Sequence, residues 1–431
     1  MSYMNLVKLI RKIFTTSIGH VIQIAAGFAL ARLLSIVIIS VLAHALAMVE
    51  YAHFLYAFSL AHIVAQVAGL GWYSLIRKKS ATFHDIKNSN YSISNESKGF
   101  FIASFMFPIC WMVLTILILY GAIYFEYSSG QLEFGVQNAM ALILPLLLAN
   151  ILREYLVGLG AIRAGVLLGE VLPLLLTLSA ISLTADVNAL NVIVTLSISY
   201  AFSVFVQTIY LKQLMPKNFF YGKPVMELKS YLISSFQRGL GAGSRFLTDK
   251  ADVILIAPIA GVVQMAEFNS ANRISLVILL MPLALMEYFS SRVSRDFHQC
   301  EFGRVKKHVM LQLKALTILL VPVWVVSVFF GSNLLQMIFG EGFQFSSNLL
   351  AILLLANIIF AYSLPFSSLL LMTDGERSYA WVNLLSLVTC FAACFYSASY
   401  YGVVGAAISL LLANSLLTLS TVYFGWKSLR I

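Results

Sequence analysis

Long apolar segments alternate with short polar breaks along almost the whole chain. A helix needs about 20 predominantly apolar residues to cross the hydrocarbon core of a bilayer. Twelve segments reach that length, over residues 20–46, 52–76, 99–125, 135–158, 162–184, 190–211, 236–260, 266–291, 309–331, 346–372, 379–400 and 403–426. The pattern therefore predicts an all-α integral membrane protein with about twelve transmembrane helices.

The composition excludes an ordinary soluble globular protein. Hydrophobic residues make up 60% and charged residues 11% of the 431 positions, whereas soluble domains carry about 25% charged residues. Twelve helices and their connections account for the length of the chain, so we expect no separate soluble domain.

The positions of the basic residues predict the orientation in the membrane. All but four of the 28 Lys and Arg residues fall on the termini, on connections or near the ends of spans on the same side as the N-terminus. The opposite connections carry acidic residues instead, namely Glu50, Glu126, Glu133, Asp186 and Glu341. By the positive-inside rule, both termini are predicted to be cytoplasmic. The net charge of +10 is thus a topology signal and does not indicate nucleic acid as a partner.

A weak internal repeat predicts two halves of six helices each. A shift of 214 residues brings the pattern AxFxxA at 52–57 onto the same pattern at 266–271. A shift of 207 brings residues 146–151 onto six identical residues at 353–358. An even number of helices gives both halves the same orientation, as in transporters built from parallel repeats. We expect an N-terminal lobe at 1–220 and a C-terminal lobe at 221–431.

Several ionisable residues lie inside the predicted spans. Such a group costs about 2.5–3.5 kcal/mol at the bilayer centre, so it is expected to face a cavity or a partner. The cations are Arg32, Arg245, Lys250 and Arg273, and the acids are Glu170, Asp249, Asp252 and Glu287. The cations are candidates for binding a substrate, and the acids are candidate charge partners or ion-coupling groups.

The seventh span, 236–260, concentrates these charges. At 100° per residue, its charged side chains share one stripe of a helix, formed by Arg238, Arg245, Asp249 and Asp252 with Lys250 at the edge. An internal salt bridge between Arg245 and Asp249, one turn apart, is the alternative to a role in binding. Glu287 lies near the end of a span and is alternatively an interfacial residue.

The chain has no phosphate-binding glycine-rich loop, metal-ligand cluster or nucleophile and base pair. These absences from the sequence predict a protein that is not an enzyme and that has no cofactor or metal site. Four histidines, His20, His44, His53 and His62, fall on the first two predicted helices, where packing is favoured over a proton relay.

One stretch carries a family resemblance. Residues 252–274, DVILIAPIAGVVQMAEFNSANRI, resemble the seventh-to-eighth helix signature of polysaccharide flippases in the MATE-like MOP superfamily: an Asp, an apolar run, a Gly, then an aromatic-plus-Ala helix start. Further matches are LAHALAMVEYAHF at 42–54, GLG at 69–71, IFGEGF at 338–343 and GVVGAA at 402–407. The chain departs from the usual pattern at Met265, where Gly or Tyr is common, and at Ala52, where Gly is common.

The resemblance implies a MATE-like fold and a function. Members of this family, the O-antigen type flippases, move undecaprenyl-pyrophosphate-linked oligosaccharide from the cytoplasmic to the outer leaflet of the bacterial inner membrane. It implies that Arg32 and Arg273 line a cavity open to lipid, and that a polysaccharide polymerase and a chain-length regulator are partners. The sequence leaves the coupling ion open between H⁺ and Na⁺.

Two other functions are weighed against the flippase. A drug or cation antiporter of the same superfamily shares the fold but favours acidic residues in its cavity, whereas this chain places arginines there. A membrane polysaccharide polymerase has a similar length, but it is expected to carry a large basic outer loop that this chain lacks.

Overall fold

A computed structural model describes residues 17–81, 91–125, 130–183, 187–215, 224–225, 227–299, 301–340, 348–372 and 375–428. The side chains of Arg238, Asp252 and Glu287 lie outside the described part of the structure, as do residues 1–16.

The described residues form α-helices with no strand among them. The helices are α1 (Ser17–Ala45), α2 (Met48–Ala68), α3 (Trp72–Ala81), α4 (Tyr91–Phe125), α5 (Gly130–Gly158), α6 (Ile162–Val166), α7 (Leu172–Leu183), α8 (Ala189–Leu214), α9 (Leu228–Asp249), α10 (Ala257–Ala260), α11 (Val262–Ser275), α12 (Leu280–His298), α13 (Phe302–Phe339), α14 (Leu349–Met372) and α15 (Glu376–Ser428). The π turns Leu167–Val171 and Asp252–Ile256 lead into α7 and α10, and a 3₁₀ turn, Leu276–Leu279, joins α11 to α12.

Eight of the described helical segments are long and apolar enough to cross a membrane, as judged by length and composition. This finding and the absence of strands confirm the predicted all-α membrane fold. The eight are fewer than the twelve predicted spans partly because α9, α11 and α12 carry charged and amide side chains, which lower their hydropathy. One of the eight, 377–428, also contains two of the predicted spans.

Helix α15 turns back on itself at Gly402, whose φ of 55° lies in the left-handed region. Ser397 and Ser409 are twelve residues apart, which is about 18 Å along a straight helix. Their hydroxyl oxygens nevertheless lie 2.7 Å apart, and Ser386 Oγ donates to the carbonyl of Ala413 at 3.0 Å. The two arms therefore pack against each other as the separate spans 379–400 and 403–426 that the sequence predicts.

Two other predicted spans are interrupted. The span at 52–76 breaks at Gly71, whose φ is 74°, so that α3 begins a new helix. The span at 236–260 breaks after Asp249, where a π turn over residues 252–256 replaces regular α-helix. Because helix α9 ends at Asp249, the regular spacing of 100° per residue, on which the predicted stripe depends, holds only as far as that residue.

Helices pack mainly within two groups, one formed by α1–α8 and the other by α9–α15. The groups meet where α2 packs against α11, where α1 packs against α12 and α13, and where α3 packs against α9. The lobe boundary near residue 220 stays a prediction, because this residue lies outside the described part of the structure.

Glycines allow the close approach of α3 to α9. A Cβ added at Gly71 would lie 1.7 Å from the carbonyl oxygen of Ser235, and one added at Gly243 would lie 2.3 Å from Leu70 Cδ1. Backbone atoms of the two helix groups are thus in direct contact at the end of the molecule that the charges predict to be cytoplasmic.

We predict that Gly71→Ala lowers the thermal unfolding temperature of the purified protein much more than Gly160→Ala does. Both glycines have positive φ, 74° and 83°, so both substitutions carry a similar left-handed penalty of about 1–2 kcal/mol. A Cβ at Gly160 meets nothing within 4 Å, whereas one at Gly71 overlaps the backbone of α9. Equal effects of the two substitutions would contradict this contact.

Candidate substrate cleft between the helix groups

A row of buried polar side chains joins α2 to α11 across the contact between the two groups. The hydroxyl oxygens of Tyr51 and Ser270 lie 2.8 Å apart, and the Asn269 amide donates to Ser59 Oγ at 3.4 Å. Tyr51, Ser59, Asn269 and Ser270 are each no more than 2% exposed. Since buried polar groups need partners, these bonds specify how α2 and α11 align.

Arg273 extends this row to α1. Its Nε donates to Asn269 Oδ1 at 2.8 Å, and its Nη1 donates to Ser35 Oγ at 3.0 Å. The guanidinium carbon also lies 5.1 Å from the centre of the Phe58 ring. One arginine from the second helix group therefore contacts both α1 and α2 of the first, through the fork of donors that distinguishes Arg from Lys.

Arg245 is held inside the second helix group. Its Nη2 lies 2.6 Å from Asp249 Oδ1, its Nη1 donates to Asn414 Oδ1 at 2.8 Å, and its guanidinium carbon lies 3.6 Å from the centre of the Phe360 ring. The Arg245 side chain is 11% exposed. Arg245 and Asp249 therefore form the internal salt bridge that the sequence offered as the alternative to a role in binding.

Arg32 differs from the other cations of the spans. It is exposed, and it makes no hydrogen bond or ion pair with the described residues. Asp249 lies within electrostatic range of both Arg32 and Lys250. Arg32 and Lys250 thus add positive charge near Asp249 beyond that of Arg245.

A large apolar cleft of about 1030 Å³ lies between α1 and the helices α12 and α13. Its lining is almost wholly aliphatic and aromatic, with Ala29, Val277, Met281, Val323 and Phe330 among the lining residues. Ala29 lies one helical turn before Arg32, and Val277 lies one turn after Arg273. Neither arginine lines the cleft, but each lies about one helical turn from a lining residue, on a neighbouring part of the same helix face.

A second charge network lies wholly within the first helix group. Glu154 on α5 is 2% exposed and accepts hydrogen bonds from Arg77 Nε at 2.8 Å and from Arg153 Nη2 at 3.0 Å. Arg153 also pairs with Glu170, which lies on the π turn before α7. The candidate acid Glu170 therefore neutralises an arginine of its own group.

We predict that Glu154→Gln lowers the thermal unfolding temperature far more than Glu301→Gln does. Glu154 compensates two arginines in a buried site, and removing one partner of a buried ion pair typically costs about 3–5 kcal/mol. Glu301 pairs with Arg304, whose side chain is 67% exposed, and a surface pair contributes about 0–1 kcal/mol. A matching loss in both variants would show that the network does not stabilise α5 against α3 and the π turn before α7.

The structure thus divides the residues that the sequence singled out. Arg32, Lys250 and Arg273 lie around the contact between the groups, while Arg245 with Asp249 and Glu170 with Arg153 are paired internally. The roles of Asp252 and Glu287 stay predictions, because their side chains are outside the description. Sequence reasoning missed Glu154, although an acid within the apolar run 135–158 is itself a signal that a cationic partner is near.

The fold is that of a MATE-type transporter of the MOP superfamily. An inward-facing multidrug resistance MATE transporter aligns over 97% of this chain and 96% of its own, with a TM-score of 0.65 and 15% identity. An outward-facing MATE transporter aligns over 95% of each chain, with a TM-score of 0.63 and 12% identity. A MOP superfamily transporter from Pyrococcus furiosus, described as having a binding pocket of reverse polarity, covers 95% of this chain and 94% of its own at a TM-score of 0.64 and 13% identity.

Sequence similarity extends over a smaller part of the chain. A putative O-antigen transporter of Shigella flexneri is 25% identical over 160 residues, which are 37% of this chain and 37% of that protein. The matched region therefore spans little more than a third of the curated relative. No family model matches the chain.

Proposed function

We propose that the chain is a flippase that moves undecaprenyl-pyrophosphate-linked oligosaccharide repeat units from the cytoplasmic to the outer leaflet of the bacterial inner membrane. The glycan belongs to O-antigen, capsule or a related surface polysaccharide. The chain acts as a transporter and not as an enzyme, with no cofactor beyond a coupled H⁺ or Na⁺.

The observation that carries this proposal is the apolar cleft, whose lining residues Ala29 and Val277 lie about one helical turn from Arg32 and Arg273. A lipid-linked pyrophosphate combines a head with two or more negative charges and a long hydrocarbon tail. Arginine suits a phosphate because its planar fork donates two parallel hydrogen bonds. Cations next to a cleft lined by aliphatic side chains therefore match both parts of such a molecule.

The contact between the groups supports alternating access. Arg273 Nη1 donates to Ser35 on α1, so the separation of the groups frees this donor for an anion, while the bond of Nε to Asn269 lies within α11. Arg32 makes no hydrogen bond or ion pair with the described residues, so it has no such bond to break before it binds an anion. The two arginines accordingly bind the head in turn, as the groups rock around the polar row between α2 and α11.

Orientation follows the positive-inside rule, with both termini cytoplasmic. Exposed aromatic side chains accord with a membrane surface near the turn at Gly402, since Tyr400 and Tyr401 directly precede this turn and are each 70% exposed. Tyr and Trp are enriched at the level of the lipid headgroups. Membrane lipids are the surroundings of the helices, and a polysaccharide polymerase and a chain-length regulator are the proposed protein partners.

We predict that Arg273→Ala and Arg32→Ala each remove most surface glycan in a cell that depends on this chain for export. Arg273→Lys is also expected to fail, because one ammonium group cannot reproduce the two directed bonds to Asn269 and Ser35. Arg32→Lys retains more function, since Arg32 makes no described bond that requires the fork. Arg304→Ala, on the exposed Glu301 pair, is the matched control.

The assay is surface glycan per cell, normalised to the amount of each variant in the membrane. Full surface glycan in both alanine variants at normal expression would contradict the assignment of the cleft.

A cation or drug antiporter is the second candidate, because the fold aligns with MATE multidrug transporters at TM-scores of 0.65 and 0.63. Such a transporter binds cations, for which the half-buried Asp249, now paired with Arg245, is the candidate acid. Uptake of organic cations into vesicles that contain the purified protein separates the two functions. Cation uptake that Asp249→Asn abolishes and Arg32→Ala leaves intact would favour the antiporter.

A further inference from the structure

An aromatic stripe on α2 lies at the contact between the helix groups. Tyr51, Phe54 and Phe58 follow one another at spacings of three and four residues, which place them on one face of a helix. The centres of the Phe54 and Phe58 rings are 5.8 Å apart, and the rings are 16° from parallel, so they form one aromatic surface. The three residues are 0%, 1% and 7% exposed, which means that the stripe is covered while the groups are together.

Hydrogen-bonding groups border this stripe on both helices. The hydroxyl oxygens of Tyr51 and Ser270 lie 2.8 Å apart, and the Asn269 amide donates to Ser59 Oγ at 3.4 Å. Helices held together by packing alone need no such groups, since a buried polar group costs free energy unless it is paired. The contact therefore combines an aromatic surface with amide and hydroxyl groups.

Separation of α2 from α11 exposes both parts of this surface at once. The bonds between the helices break, and their donors and acceptors lose their partners inside the protein. A pyranose ring matches both parts, because its hydroxyl groups donate and accept hydrogen bonds while its axial C–H groups form an apolar face. Aromatic rings pack on such a face as they do on other apolar groups. The uncovered surface thus has the composition of a sugar-binding site.

The position of Arg273 indicates which sugar of the substrate reaches this surface. Its guanidinium carbon lies 5.1 Å from the centre of the Phe58 ring. In a lipid-linked oligosaccharide, the first sugar is joined directly to the pyrophosphate group. A pyrophosphate bound at Arg273 therefore places the first sugar beside Phe58 and the later sugars further away.

We propose that Phe58 binds the first sugar of the substrate by stacking on the apolar face of its ring, while Ser59 and Asn269 bind its hydroxyl groups. The inference rests on the proposed function, because it requires a pyrophosphate group at Arg273. It adds a site for the sugar to the sites proposed for the head and the tail.

Phe360 offers a matched control in the second helix group. Its ring also lies against an arginine, with 3.6 Å between the ring centre and the guanidinium carbon of Arg245. Both residues belong to the same group, so their contact does not open when the groups separate. Leucine at either phenylalanine keeps an apolar side chain and removes the ring.

The test is calorimetric titration of the full-length protein in detergent with two ligands. One is farnesyl pyrophosphate, and the other is the same lipid with one N-acetylglucosamine on its pyrophosphate. We expect the wild type to bind the sugar-bearing ligand more tightly by about twofold to tenfold, the range that one ring contact gives. Phe58→Leu is expected to lose most of this preference, whereas Phe58→Tyr and Phe360→Leu keep it.

The ratio of the two affinities separates sugar binding from a structural role of the ring. Altered packing around Arg273 weakens both ligands alike and leaves their ratio unchanged. Equal affinities of the wild type for the two ligands would overturn the sugar site without any variant, and so would a Phe58→Leu protein that keeps the full preference. If the wild type binds neither ligand, the head-binding site of the proposed function is wrong, and the sugar site that depends on it is wrong as well.

Discussion

Polar groups that meet between α2 and α11 are shielded from water, so each must find its partner on the other helix. Tyr51 with Ser270 and Ser59 with Asn269 satisfy this requirement across the contact, and Arg273 extends it to Ser35 on α1. Apolar side chains alone would let the helices slide, because lipid tails attract them as well as other helices do. The bonds fix one register, and any motion between the groups has to break them together.

The two internal ion-pair networks have the opposite effect. Arg245 pairs with Asp249 and bonds to Asn414 on α15, and Glu154 pairs with Arg77 and Arg153, so both networks tie helices to their own group. Their charges are compensated inside each group and stay so when the groups separate. Rigid-body motion requires that each group is rigid inside and that the contact between the groups can break.

The lengths of the apolar runs predicted much of the fold, including the two arms of α15 on either side of Gly402. Hydropathy cannot show the π turn after Asp249, because one extra residue in a turn leaves the composition unchanged, and the predicted stripe therefore runs too far. The sequence also identified Arg273 but not its partners Ser35 and Asn269, since small polar residues hardly alter an apolar run. Glu154 was not identified from the sequence, because its neighbour Arg153 was interpreted as one of the basic residues that mark the cytoplasmic side.

The row between α2 and α11 is not symmetric, although its two helices match each other in sequence. Under the shift of 214 residues, Ser59 corresponds to Arg273, and Asn269 bonds to both. A neutral hydroxyl on one helix thus stands opposite a fixed charge on the other, at equivalent positions. The matched pair therefore carries an electric polarity across the contact, with its positive end on α11. The two helices share a sequence pattern, and the difference at this one position makes the contact between them directional.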